Sequence, residues 1–155
     1  METKSTNRKT FQLTENSQQL GELIYEHLFS FKAKIKLQNS EFISIQPVGF
    51  FKTGVSVTKN GAELANLTMN WRGHISISFR DGQEYMLKPT GMFYNKFVIE
   101  NKAGERLIQL DPKFSWSKFD YNYDIQSDKK SQDILLILLG VYASNYFISF
   151  MSGMA

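Results

Sequence analysis

From Ile134 to Ala155 the chain carries no Asp, Glu, Lys or Arg. The opening stretch, Ile134-Leu135-Leu136-Ile137-Leu138-Leu139, is apolar on every side of a helix, so that helix has no face to offer water. Gly140, Ala143, Ser144 and Asn145 follow as small or polar positions, and Tyr146, Phe147, Ile148, Phe150 and Met151 complete the run. The pattern predicts a helix over about 131–152, with Ser131 as N-cap and Asp133 in the first turn, where the helix dipole favours an anion. A helix of this kind must be enclosed on all sides by protein or by lipid.

The residues before it read as closely spaced strands. Lys32-Ala33-Lys34-Ile35-Lys36-Leu37 alternates strictly, with the lysines on one face and Ala33, Ile35 and Leu37 on the other. Further period-two segments are Glu41 to Ile45 ending at Pro47, Val55 to Thr58, Leu64 to Asn70, His74 to Phe79, Tyr85 to Lys88 stopping at Pro89, Lys96 to Glu100, Arg106 to Leu110 ending at Asp111-Pro112, and Tyr121 to Ile125. Asn60-Gly61 separates two of them as a hairpin turn that needs positive φ, and Asp81-Gly82 and Ala103-Gly104 mark further turns. Gly21 to Phe31 fits a helical or a strand register and is read as strand. That makes on the order of ten short strands at spacings of roughly ten residues, each with one face to bury, so the sheet must close into a sandwich or barrel. Residues 1–15 read as a disordered polar tail. Lys4, Arg8 and Lys9 have no apolar stretch behind them, so the segment is no secretory signal; an electrostatic membrane tether is its functional alternative.

Two environments suit the terminal helix. Roughly 20 apolar residues span a bilayer, with Lys129 and Lys130 as interfacial anchors. Alternatively the helix fills the bore of a barrel of about a dozen strands. The second is favoured. The inward positions Ile35, Ile43, Val57, Ile75, Ile77, Val98 and Ile108 would otherwise line a void that protein packing does not tolerate. Tyr142, Ser144, Asn145 and Tyr146 also find hydrogen-bond partners more readily inside protein than in lipid.

Composition narrows the chemistry. With no cysteine, disulfide scaffolds, thiolate metal sites and Cys nucleophiles are excluded, and two histidines, His27 and His74, argue against a multi-His metal centre. A net charge of +3 suits an anionic surface but falls short of a dedicated nucleic-acid binder. No Gly-x-Ser-x-Gly elbow, Gly-x-Gly-x-x-Gly loop or Walker pattern occurs, and both histidines lie in strand-like segments. Glu84, Glu100, Asp120 and Asp124 are the acids from which a glycosidase pair would have to come.

The order of elements, a run of hairpins, a late strand and one C-terminal hydrophobic helix, resembles the tubby-like C-terminal superfamily and its LURP-one-related and phospholipid-scramblase-like branch. The likeness spans about Gly21 to Ala155 and includes the rhythm of Met92-Phe93-Tyr94-Asn95-Lys96-Phe97-Val98-Ile99-Glu100-Asn101-Lys102-Ala103-Gly104. It implies a closed barrel of about twelve strands around the helix, no fixed enzyme activity, and association with phosphoinositide headgroups or membranes. The chain lacks the cysteine-rich and Pro-rich segments of animal scramblases and any acidic loop like their proposed calcium segment. Scrambling and calcium control are therefore not carried over.

The candidate site residues are Lys32, Lys34 and Lys36, whose ammonium groups project from one strand face about 6.8 Å apart, a spacing that suits successive phosphates or lipid headgroups. A solvent-facing wall protected from edge pairing is the simpler account of the same lysines. Phe114, Trp116, Phe119, Tyr121 and Tyr123 would serve as a stacking platform, or more simply as barrel packing. Phe50, Phe51, Met92, Phe93 and Tyr94 lie beside turn residues, as membrane-dipping tips or as caps of the barrel ends. The expected protein is mainly β, a closed antiparallel barrel of about twelve strands around a buried hydrophobic C-terminal α-helix, with residues 16–155 as the domain. The expected function is a non-enzymatic binding or scaffold module associating with anionic phospholipid, without cofactor, metal or nucleic acid, cytoplasmic and peripheral at the membrane. The alternatives are a small tail-anchored membrane protein with a cytosolic β domain, and a small-ligand carrier using the barrel mouth.

Overall fold

The computed structural model describes residues 1–7, 9–27, 30–48, 54–91, 95–115, 120–128 and 133–153. Twelve strands and one helix follow one another along the chain: β1 (Glu2–Ser5), β2 (Thr10–Glu15), β3 (Gln18–Tyr25), β4 (Ala33–Leu37), β5 (Phe42–Val48), β6 (Gly54–Lys59), β7 (Ala62–Met69), β8 (Ile75–Phe79), β9 (Glu84–Thr90), β10 (Lys96–Asn101), β11 (Arg106–Ser115), β12 (Asp120–Ser127) and α1 (Ile134–Gly153). Every strand pairs antiparallel with its neighbours in sequence, and β1 pairs with β12 to close the barrel. Closure leaves no sheet edge along the full length of a strand.

Alternation decides which side chains enter the bore. Leu13, Leu23, Ile35, Ile45, Val57, Ile77, Leu87, Ile99 and Leu110 are buried there, and α1 supplies the centre through Leu136 to Phe147. The helix is therefore the core of the barrel. Among the described residues, no helix is long and apolar enough to cross a membrane. The polar groups of the helix are satisfied inside: Tyr123 donates its hydroxyl to Asn145 Oδ1 at 2.7 Å, Asn145 Nδ2 donates to the Tyr25 hydroxyl at 3.0 Å, and Ser144 Oγ donates to the Gly140 carbonyl at 2.8 Å. Tyr142 stacks on Tyr25 with centroids 5.9 Å apart and donates to the Phe31 carbonyl at 2.7 Å. Burial pushes the Tyr142 phenol well above its usual range, so it stays a neutral donor.

Three sequence expectations are corrected. Residues 1–15 are not a disordered tail, because they form β1 and β2, and β1 closes the barrel. The inward residues of β1 are Thr3 and Ser5, which are buried yet polar, so the strand carries no hydrophobic alternation to read. Strands also run through all the prolines. Pro47, Pro89 and Pro112 pair with Val55, Phe97 and Tyr123. On the other side, the ladders have already ended two residues earlier, at Ile45, Leu87 and Leu110. Each missing N–H thus falls at a local edge, where proline is tolerated. Finally, Asp133 rather than Ser131 caps the helix, its Oδ1 accepting the Leu136 N–H at 3.2 Å; Ser131, Lys129 and Lys130 lie outside the described residues. Asn60 (φ 52°) and Gly61 (φ 80°) form the expected two-residue turn between β6 and β7.

Candidate functional site

An up-and-down barrel places its connections alternately at two ends. The β1–β2, β3–β4, β5–β6, β7–β8, β9–β10 and β11–β12 connections share one end. The C-terminal half of α1 exits there: Tyr146 packs on Phe31 with centroids 4.7 Å apart, and a Cβ on Gly73 would come within 2.7 Å of the Phe147 ring. At the opposite end α1 begins, with Ile134 beside Gly21.

The two ends differ in chemistry. Among the described residues, the exposed large hydrophobic side chains are Phe42, Val48, Trp71, Phe114 and Phe150. Val48 and Phe114 are at the upper ends of β5 and β11, Trp71 is in the β7–β8 connection and Phe150 is in the last turns of α1, so all but Phe42 belong to the helix-exit end. The described connections there carry Lys9, Lys32 and Arg72 against Glu26. Those at the opposite end carry Glu41, Asp81, Glu105, Asp128 and Asp133 against Arg80 and Lys102. Among the described residues, one end carries more apolar and basic side chains and the other more acidic ones.

Trp71 is the most exposed of these side chains, at 88%. Its turn is rigidly built. Asn70 Oδ1 accepts the Arg72 and His74 N–H groups at 2.9 and 3.1 Å, and the Gly73 N–H donates to the Asn70 carbonyl at 3.0 Å. Gly73 has φ 81°, a conformation glycine adopts without strain, and its lack of a side chain lets the Phe147 ring lie against it. The Arg72 guanidinium stands 5.0 Å from the Trp71 ring centroid. Burial, then the charges of Lys88 and Arg72, hold the His74 imidazole below its usual value.

The lysine triplet faces outward as its alternation predicts, but it runs along the wall rather than gathering into one site. Lys32 lies at the helix-exit end, 3.7 Å from Glu26. Lys34 and Lys36 each stand 5.9 Å from the half-exposed ring of Phe42, which begins β5 at the opposite end. Replacing Lys32, Lys34 and Lys36 together by Gln should shift the melting temperature by less than about 4 °C, because exposed substitutions of this kind perturb stability little. A larger drop in a circular-dichroism melt would show that the wall depends on them.

The other expected sites separate as well. Tyr123 is buried within the barrel and Phe114 is exposed at its rim. Trp116 and Phe119, the side chain of Tyr121, and Phe50, Phe51, Met92, Phe93 and Tyr94 lie outside the described residues. Beside Tyr142 and Tyr146 the gap between helix and wall is about 10 Å³, at the limit for a single water. Sequence reading missed the cleft on the outer wall across β8, β9 and β10, about 490 Å³, which brings Glu84 and Glu100 together with Ser76, Ser78, Lys88 and Lys102. Each carboxylate there is engaged by a lysine, Glu100 by Lys88 at 2.8 Å and Glu84 by Lys102 at 3.6 Å. Comparison with family models, curated proteins and solved structures finds no match for this chain.

Proposed function

We propose that the protein is a non-enzymatic membrane-docking module that rests the helix-exit end of its barrel on an anionic phospholipid surface. The observation that carries this reading is the convergence at one end of Val48, Trp71, Phe114 and Phe150 with Lys32 and Arg72. Indole rings favour the headgroup region, and each Lys or Arg near an anionic surface adds about 1 kcal/mol. The acidic residues at the opposite end give the molecule a charge asymmetry that turns the aromatic end toward such a surface. The hydrogen-bonded turn beneath Trp71 orders its backbone before docking, which lowers the entropy lost on binding. The triplet contributes chiefly through Lys32. A cytoplasmic protein, peripheral at the membrane, fits this mode of attachment, and so does a place in the tubby-like superfamily, supported by the twelve-strand barrel closed around its C-terminal helix.

Co-sedimentation of the full chain with phosphatidylcholine vesicles, with and without phosphatidylserine, tests the proposal. Binding should require phosphatidylserine and weaken with salt. Trp71→Ala should reduce partitioning about tenfold, and Arg72→Gln about fivefold. No co-sedimentation at low salt, or a Trp71→Ala protein that binds like the parent, would overturn it.

A further inference from the structure

We infer that the cleft across β8, β9 and β10 binds a small zwitterion, a molecule with an ammonium and a carboxylate or phosphate on one short skeleton. This site is on the side wall and does not depend on membrane docking.

The cleft is assembled by strand register. Met86 faces outward as its floor, with Ser76 paired to it on one side and Glu100 on the other. On its other side β10 meets β11 with a register shift between Ile99 and Glu100, the extra residue Leu107 lying on β11, while the β9–β10 register through Glu100 is regular. Its volume of about 490 Å³ falls within the range of small-molecule sites. An acid–base pair closes each end. Lys88 and Glu100 meet at 2.8 Å with only 34% and 15% of their side chains exposed, and Lys102 and Glu84 meet at 3.6 Å nearer solvent.

The charges select the ligand class. Two lysines and two glutamates give the cleft no net charge, so a singly charged molecule gains from one partner and is repelled by the other of each pair. A zwitterion can hold a lysine with its anion and a glutamate with its cation at once, keeping both charges of the wall paired when water leaves. The Ser76 and Ser78 hydroxyls offer both donors and acceptors to the ligand's polar atoms, and the Met86 side chain adapts to its carbon skeleton. A carboxylate–ammonium compound and a phosphate–ammonium compound share this chemistry.

Amide NMR of the full chain tests the inference, with γ-aminobutyrate and O-phosphoethanolamine as zwitterionic probes and acetate and ethylammonium as single-charge controls. At least one zwitterion should give saturable shifts at the amides of Ser76, Ser78, Met86 and Glu100, with the controls weaker by about tenfold or more. Which zwitterion binds tighter distinguishes a carboxylate from a phosphate ligand. The double variant Lys88→Met/Glu100→Gln, which preserves net charge, should lose the saturable shifts. The double variant Lys102→Met/Glu84→Gln, altered at the more exposed end, should weaken them and serves as the reporter if the first does not fold. The inference fails if neither zwitterion saturates, if a single-charge control binds equally well, or if the folded variants bind unchanged.

Discussion

Leu138→Asp should leave a chain with no cooperative unfolding transition. Leu138 is 0% exposed inside the barrel, where its Cδ1 would lie 3.0 Å from a Cβ built on Gly21. A carboxylate there has no cation to pair with on α1, since the helix carries no charged residue. Losing the leucine's packing and burying an unpaired charge costs about 4–5 kcal/mol or more, against a total stability of about 5–15 kcal/mol for an ordinary domain. Far-ultraviolet circular dichroism during urea titration reads the result, with Leu138→Met as the control that keeps the volume and the transition. A Leu138→Asp protein that unfolds cooperatively near the parent's midpoint would count against the helix as the core.

Gly140→Val should destabilise the protein by about 2–3 kcal/mol through overpacking. At Gly140 the helix lies tightly against the wall of β10 and β11: a Cβ would stand 2.6 Å from Ile99 Cδ1 and 3.6 Å from the Leu110 methyls. Valine's better helix propensity offsets less than about 1 kcal/mol of that. Ile99→Ala alone should cost about 2–5 kcal/mol by opening a cavity. Combining the two should cost less than their sum by about 1 kcal/mol or more, because the new methyl groups enter the space that Ile99 vacates. Thermal melts of the single and double variants complete the cycle. Strict additivity would mean that the two positions do not meet.

The legibility of this fold varied with the chemistry of each segment. Ala33, Ile35 and Leu37 against three lysines announced β4, because a strand half in water must alternate. Asn60-Gly61 announced its hairpin, because both positions need positive φ. By contrast β1 was silent, since Thr3 and Ser5 are polar side chains held inward by pairing with β2 and β12 rather than by hydrophobicity. Pro47, Pro89 and Pro112 argued for strand ends that do not occur, since proline reports a missing donor and local edges leave that donor unneeded. At the candidate sites the outward face of the lysine triplet was legible, but its spread along the wall was not. Met86 and Glu100, which pair across β9 and β10, lie on different strands of the sequence and share no local pattern.

The sequence by itself determined that a charge-free helix had to be enclosed, by protein or by lipid, and that short alternating strands had to fold on themselves to bury one face, since both follow from where each segment can place its apolar surface. Tertiary structure alone decided that the first fifteen residues complete the barrel, that Asn145 is shared between Tyr25 and Tyr123, and that Trp71, Phe114 and Phe150 emerge at one end. Those outcomes depend on which distant residues become neighbours once the barrel closes, and closure is a property of the whole ladder of pairings rather than of any one stretch of chain.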